Sequence, residues 1–355
     1  MIIAGNGVRN ALAFDALTAT AEVSGAGVAT TASGKGVFDE THRLSLGVMG
    51  NFGEPTANTM ISAADVVLAV GTKLGPSDTG FGNPTLLQPN GQHLIQIDVE
   101  PSNLSWTTPA RTVVAGDAKD ALVRLTTLLS DAPAGPKSER RAAQVAGHKR
   151  TLGSFGRPHR TAESFPIHPQ RIIDALVSLA APNGFVACDA GENRLFMNRY
   201  FQSTGGGAFL QPAASGGMGY AIPAALAAKI ACPEKTAIAV CGDGGFGISL
   251  NGLLTAVEQG LPIVVVIFNN QALGWVKHGQ GERVIASELR DFDYAEIGRA
   301  MGCDAWRVSD TAALTDVLKS ALTQREGSGR PAVVDIPTAR DETYLDIASP
   351  LNRWS

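Results

Sequence analysis

One arrangement in this sequence leaves few folds open. The β-prone run Ala237-Ile238-Ala239-Val240-Cys241 ends at Gly242-Asp243-Gly244-Gly245, and a segment with Leu250, Leu253, Leu254 and Val257 on one helical face follows. A second apolar run, Pro262 to Phe268, then ends at Asn269-Asn270. Gly260 and Pro262 lie where a helix stops. Strand, helix and strand in that order make a βαβ unit, whose crossover is right-handed and whose strands run parallel. Asp243 and Asn270, 27 residues apart, then leave the sheet together at the carboxyl ends of their strands, where open α/β sheets bind ligands.

The chemistry at those two positions is that of a hard cation. A carboxylate, an Asn side-chain carbonyl, a nearby backbone carbonyl and phosphate oxygens make an octahedral magnesium site. Gly244 and Gly245 carry no side chains, so their N–H groups can face a diphosphate at the start of the helix. A Gly-Asp-Gly alone is usually a turn and an Asn-Asn alone is usually a loop; their joint placement on the right elements makes the signal specific.

The rest of the chain repeats the α/β alternation. With 355 residues, 44% of them apolar, there is material for two ordinary domains. Strand candidates in the first are Ile2-Ile3-Ala4, Val28-Ala29-Thr30, Val66 to Val70, Leu94 to Asp98 and Thr112-Val113-Val114. Its last helix has Ala118, Ala121, Leu122, Leu125, Leu128 and Leu129 at helical spacing, with Asp117 placed to cap it. From 133 to 166 the prolines Pro133, Pro136, Pro158 and Pro166 and a basic stretch around Arg140, Arg141, Lys149 and Arg150 suggest a partly helical linker. The alternation resumes with a helix over Gln170 to Leu179, a strand over Phe185 to Cys188, a helix over Ala221 to Ile230 and a strand over Thr236 to Cys241. The expected fold class is α/β, with two doubly wound parallel-sheet domains at 1–132 and 167–355.

Charge and cysteine usage exclude several classes of function. A net charge of -4 with no run of Lys or Arg argues against a nucleic-acid partner. Cys188, Cys232, Cys241 and Cys303 form no paired motif, which fits thiols in a reducing cytoplasm. The amino terminus lacks the pattern of a secretion signal, and the apolar stretch Leu261 to Phe268 is too short to span a bilayer. The expectation is a soluble, cytoplasmic protein with no membrane association, holding small anions locally. Glycines cluster at Gly205 to Gly207, Gly216 to Gly219 and Gly242 to Gly247, where backbone can approach a ligand.

With its Gly242-Asp243-Gly244 and Asn269-Asn270, the chain resembles the thiamine-diphosphate family of acetolactate synthases, pyruvate oxidases and benzoylformate decarboxylases. Ser215-Gly216-Gly217-Met218-Gly219 followed by Pro223-Ala224-Ala225 is similar to the family segment whose Met props the coenzyme into its bent shape. Gly34-Lys35-Gly36, Leu46-Gly47, Ala64 to Gly71 and Val114 to Lys119 are similar to the family's central domain. The resemblance implies a Rossmann-like central domain at 1–132, a linker at 133–166 and a diphosphate-binding domain at 167–355. It implies thiamine diphosphate and Mg2+ as cofactors, with Asp243, Asn270 and the backbone carbonyl of Ala272 as metal ligands. The coenzyme would lie among Gly191, Glu192, Asn193, Gly216, Met218, Gly242, Asp243, Gly244, Gly245, Asn270, Ala272, Leu273 and Gly274. Trp275 and His278 would line the substrate pocket.

Three departures qualify the match. After Asp189-Ala190-Gly191, acetolactate synthases usually continue with Gln-His, where this chain has Glu192-Asn193; a carboxylate there repels phosphate unless it turns away or finds a partner. Gly279 stands where acetolactate synthases usually place a Trp, so pyruvate self-condensation is not expected as the main activity. No stretch resembles the pyrimidine-binding domain that supplies the activating Glu. That group is expected on a separate pyrimidine-domain subunit, in a heterotetramer with two copies of each chain, and the catalytic residue is unassigned here. Gly5-Asn6-Gly7 is half of a dinucleotide fingerprint with Asn10 at the third glycine position, and FAD, which some relatives bind in this domain, is left open. The leading expectation is the large subunit of a split enzyme that decarboxylates a 2-oxo acid and joins the product to a carbonyl acceptor. The alternatives are a non-catalytic binding or assembly subunit and a nicotinamide or flavin oxidoreductase built on the first domain.

Overall fold

A computed structural model of the chain describes residues 1–131, 137–156, 158–179, 184–213 and 215–348; Pro133 and Pro136 of the expected linker lie outside them. The chain divides into two compact units. The first comprises Met1–Gly156 and Gln202–Gly207 with Ala348, and the second Arg157–Phe201 and Ala208–Ile347.

In the first unit six parallel strands, β1 (Ile2–Ala4), β2 (Val28–Thr30), β3 (Ser45–Val48), β4 (Val66–Val70), β5 (His93–Asp98) and β6 (Thr112–Ala115), lie in the order β3-β2-β1-β4-β5-β6. This is a doubly wound sheet. The central β1 is buried along its whole length, which is why it reads as an unbroken apolar run rather than an alternating one. β3 was not among the expected strands. Gly47 sits in it at φ +77° and the β2/β3 register slips between Val28 and Ala29, so no regular period marks it in sequence.

The helix Ala118–Asp131 begins as expected, with Asp117 Oδ1 accepting the N–H groups of Lys119 and Asp120 at 2.8 and 3.1 Å. Its apolar stripe is only partly packed. Ala118 and Leu122 are buried, whereas Leu128 is exposed, and Leu125, Leu128 and Leu129 border an apolar cavity of about 810 Å³ together with Ile95 and Ile97. Within the stretch read as linker, the helix Lys137–Leu152 lays Val145 into the first unit's core, and Arg141 Nη1 donates to the Ser24 carbonyl at 3.0 Å. Packing also accounts for the two early glycines: a Cβ at Gly5 would lie 2.3 Å from the Gly71 carbonyl oxygen, and one at Gly7 would lie 2.5 Å from Gly71 Cα. No nucleotide is needed to explain them.

The second unit also has six parallel strands, β7 (Phe185–Cys188), β8 (Phe209–Leu210), β9 (Ala237–Gly242), β10 (Val264–Asn269), β11 (Asp304–Arg307) and β12 (Ala332–Pro337), in the order β11-β12-β10-β9-β7-β8. From β7 the chain goes outward to β8 and returns on the other side to β9, so the winding reverses between β7 and β9. That switch point opens a crevice at the carboxyl ends of the strands. The helix expected after Gly245 comes in two pieces, Asp243–Ser249 and Gly252–Glu258. The break displaces the single apolar face drawn through it: Leu253 and Ala256 are buried, but Leu254 is exposed. Among the described residues no helix is long and apolar enough to cross a membrane.

One fully buried ion pair holds the first unit together internally. Lys35 Nζ lies 2.7 and 2.6 Å from the two oxygens of Glu40, and Glu40 Oε2 also accepts the Ser203 N–H at 2.7 Å. Burial raises the Glu40 carboxyl, with Lys35 opposing it. Replacing Lys35 by Met strands a buried carboxylate and should cost about 3–5 kcal/mol, read as a lower urea midpoint. The double replacement Lys35→Met with Glu40→Leu should recover most of that loss.

Candidate functional site

Three strand ends build the site. Asp189 and Gly191 follow β7, Asp243 follows β9, and Asn270 follows β10, with the β9/β10 ladder pairing Ile267 with Cys241 and Phe268 with Gly242. They open on a small cavity of about 70 Å³ lined by Gly191, Glu192, Asn193, Met218, Gly242 to Gly245, Asn270 and Ala272 to Val276, among others. Residues far apart in sequence are thus brought together by parallel strand pairing alone.

Asp243 is the chemical centre of this group. It is 1% exposed. Its Oδ1 accepts the Gly244 N–H at 2.8 Å and its Oδ2 accepts the Ala272 N–H at 3.2 Å. Burial pushes its carboxyl up to about 6, against the hydrogen bonds from Gly244, Gln271 and Ala272. Among the described residues no Lys, Arg or His forms an ion pair with it. A buried carboxylate without a cation beside an Asn amide fits a small divalent cation with oxygen ligands.

The neighbouring Asn269 has a different role. It is buried, and its Nδ2 donates to Asp335 Oδ1 at 2.9 Å, tying β10 to β12. Only the second Asn of the pair faces the cavity. The glycines are demanded by packing as well as by access. A Cβ at Gly244 would lie 2.5 Å from Leu273 and 3.1 Å from Met218 Cε, and one at Gly245 would lie 3.1 Å from the Asp189 carboxylate. The Gly244 N–H is already spent on Asp243.

Asp189 is a positioning residue that sequence reasoning passed over. It is completely buried, and its carboxylate accepts N–H groups from Ala190 at 2.7 Å, Gly219 at 2.9 Å and Ala221 at 3.2 Å. Those bonds pin the Met218 loop to the end of β7, with Met218 over Gly244. A carboxylate just past an apolar strand was the available signal. Thr338, Ala339 and Glu342, which border the cavity from beyond β12, gave no signal. Glu342 also binds His168 Nδ1 at 2.5 Å and Gln170 Nε2 at 2.9 Å, and with His159 it forms a His-His-Glu group.

Glu192, the residue that should repel phosphate, has a partner within the same unit. Its Oε1 lies 2.6 Å from His278 Nδ1 and accepts the Tyr344 N–H at 3.0 Å. The other face of its carboxyl presses on Gly274, where a Cβ would fall 2.1 Å from Oε2. His278 Nε2 is 3.2 Å from the Arg340 carbonyl; a carbonyl only accepts, so that nitrogen carries hydrogen. Both imidazole nitrogens are therefore engaged, and His278 backs Glu192 rather than bordering the cavity. Trp275 does border it, half-buried between the Tyr344 ring at 5.9 Å and the Arg194 guanidinium at 5.5 Å.

Comparison with known proteins agrees with this geometry. Residues 1–125 match the central domain of thiamine pyrophosphate enzymes, and residues 189–336 match their C-terminal thiamine-pyrophosphate-binding domain. The chain belongs to the thiamine pyrophosphate (thiamine diphosphate) enzyme family. It is 28% identical to the sulfoacetaldehyde acetyltransferase of Alcaligenes xylosoxydans xylosoxydans, over 96% of this chain and 61% of that protein. It is 29% identical to the acetolactate synthase large subunit of Corynebacterium glutamicum, over 98% of this chain and 56% of the relative. With the isozyme 3 large subunit of Escherichia coli acetolactate synthase it shares 30% identity, over 91% and 57% respectively. The chain thus spans somewhat over half the length of these relatives.

The Glu192–His278 contact makes a test of its own. Burial raises the Glu192 carboxyl while Tyr344 and His278 oppose that shift, so the folded state holds its proton to higher pH than the unfolded chain. His278→Ala should therefore destabilise the second unit by about 1–3 kcal/mol at neutral pH, with the loss fading as pH falls through the carboxylate range. Denaturation midpoints across pH read this directly, and adding Glu192→Gln should remove the pH dependence.

Proposed function

We propose that this chain is the coenzyme-holding component of a thiamine-diphosphate enzyme that decarboxylates a 2-oxo acid and passes the remaining unit to a carbonyl acceptor. The observation that carries the reading is the buried Asp243 carboxylate, without a cation, converging with Asn270 and Ala272 at the switch point. Asp243 Oδ2, the Asn270 side-chain carbonyl and the Ala272 backbone carbonyl would hold Mg2+ against the diphosphate. Met218, fixed by Asp189 through Gly219 and Ala221, would support the coenzyme's bend. Gly191 and Asn193 would face its phosphates, and Glu192, held by His278, would form part of the wall rather than a phosphate ligand. When bound, thiamine diphosphate supplies the electron sink for loss of CO2. The relatives' names, acetolactate synthase and sulfoacetaldehyde acetyltransferase, support transfer of a two-carbon unit without fixing the acceptor.

Activation of the coenzyme needs a carboxylate against its aminopyrimidine. Glu192 is engaged with His278, and Glu258 lies at the end of the helix Gly252–Glu258, so neither suits that task. We place the activating Glu on a pyrimidine-binding domain outside these residues, carried in our reading by a separate subunit in a heterotetramer. A positioned acid-base group of this kind contributes about 10²- to 10⁴-fold. Adding a pyrimidine-domain protein in trans should raise decarboxylation by the purified chain by about that factor. Full turnover by this chain alone would overturn the requirement.

Asp243→Ala should abolish Mg2+-dependent binding of thiamine diphosphate while leaving the circular dichroism spectrum unchanged, and calorimetry showing equal affinity would refute the metal assignment. Because the free Asp243 carboxyl titrates at about 6 and metal binding needs it ionised, metal-dependent coenzyme affinity of the wild-type chain should fall as pH drops below about 6. A flat profile between pH 5 and 8, an interval of about three units around that value, would contradict the role.

A further inference from the structure

We propose that Arg194 forms an anion subsite at the edge of this pocket, where its guanidinium receives the carboxylate or sulfonate that the acceptor substrate keeps through the reaction. The proposal rests on reading the pocket as a thiamine-diphosphate site with a carbonyl acceptor. Arg194 lies in the helix Glu192–Tyr200, directly after Glu192 and Asn193, which with Phe196 line the cavity from that helix. Its Nη1 donates to the Pro212 carbonyl at 3.2 Å, and its Cζ stands 5.5 Å from the ring centre of Trp275. A side chain at Gly216, which has φ +70°, would lie 3.5 and 3.9 Å from its two terminal nitrogens. The guanidinium is thus held by a neutral acceptor and an aromatic face, and glycine leaves one approach to it uncrowded.

What Arg194 lacks, among the described residues, is a counter-ion in contact with it; Asp189 acts on it through its field alone. Elsewhere in the second unit Arg307 pairs with Asp291, Lys277 with Glu288 and Arg299 with Glu296, but among the described residues no carboxylate forms an ion pair with Arg194. The adjacent Glu192 is committed to His278. Burial draws the Arg194 guanidinium down from its ordinary value, and the fields of Cys188 and Asp189 oppose that shift without overcoming it. A planar fork with most of its five donors unspent suits a carboxylate or sulfonate.

Two anions could fill it, the coenzyme's diphosphate or a substrate group. The metal ligands Asp243 and Asn270 place the phosphates at the ends of β9 and β10, whereas Arg194 meets the pocket across Trp275 and is not among the residues bordering the cavity. That favours the substrate. A cation on the carboxylate that departs as CO2 would stabilise the ground state more than the transition state and slow the reaction. The anion held by Arg194 is therefore one that is retained, which makes the acceptor a 2-oxo acid or a sulfonated aldehyde rather than a neutral carbonyl compound.

The test uses the full chain, titrated calorimetrically with pyruvate and with its neutral methyl ester, with and without Mg2+ and thiamine diphosphate, in wild type, Arg194→Gln and Arg194→Lys. Arg194→Gln should weaken pyruvate binding by roughly tenfold or more, and Arg194→Lys should restore part of it as a point charge without the fork. Affinity for the ester and for the coenzyme should be the same in all three. Absence of pyruvate binding by wild type, or equal effects on pyruvate and its ester, would overturn the proposal. A fall in coenzyme affinity in Arg194→Gln would assign the guanidinium to the diphosphate instead. If wild type failed to bind the coenzyme with Mg2+, the reading of the pocket would fail, while the coenzyme-free titrations would still report on Arg194.

Discussion

A carboxylate held in the interior with no cation beside it is an unfavourable arrangement unless something completes it. Asp243 is in that position, and the surrounding structure is built to keep it there: two backbone N–H groups fix its oxygens, the β9/β10 pairing sets it beside Asn270, and glycine at 244 and 245 lets Met218, Leu273 and Asp189 close in. Burial disfavours its ionised form, and a divalent cation reverses that preference. Stability and ligand binding therefore oppose each other at one residue in the metal-free chain. Such sites are where proteins give up stability for function.

A second layer of the same logic holds the first in place. Asp189 organises the Met218 loop through backbone N–H groups, Asp335 takes Asn269 and thereby fixes the strand that delivers Asn270, and His278 takes Glu192. Glu192 and Asp335 have His278 and Arg307 as ion-pair partners, whereas Asp189, like Asp243, is held by backbone N–H groups. What sets Asp243 apart from Asp189 is its place: Asp243 borders the cavity beside Asn270 and Ala272, and Asp189 is turned to the Met218 loop.

The α/β class and the convergence of Asp243 with Asn270 were legible in sequence because they depend on local runs and on the fixed hand of βαβ units. β1, β4 and β7 are uninterrupted apolar runs bounded by turns. β3 was hidden by Gly47 and a register slip, and the face through Leu254 failed because the helix is broken at Leu250 and Asn251. Of the candidate site residues, Trp275 reaches the cavity but His278 turns to Glu192, a pairing between residues 86 positions apart that no local pattern encodes. The exposed apolar stripe of the helix Ala118–Asp131 is another case: periodicity told which residues are apolar, not how much of the stripe finds a partner.

The most direct test of the central claim is where a divalent ion sits. Crystals of this chain grown with thiamine diphosphate and Mn2+, an anomalous scatterer with magnesium-like oxygen preferences, would locate it without reference to activity. The account predicts an anomalous peak within about 2–2.5 Å of Asp243 Oδ2 and the Asn270 side-chain oxygen, with the diphosphate against it. A peak at His159, His168 and Glu342 instead, or coenzyme bound with no metal at Asp243, would contradict it.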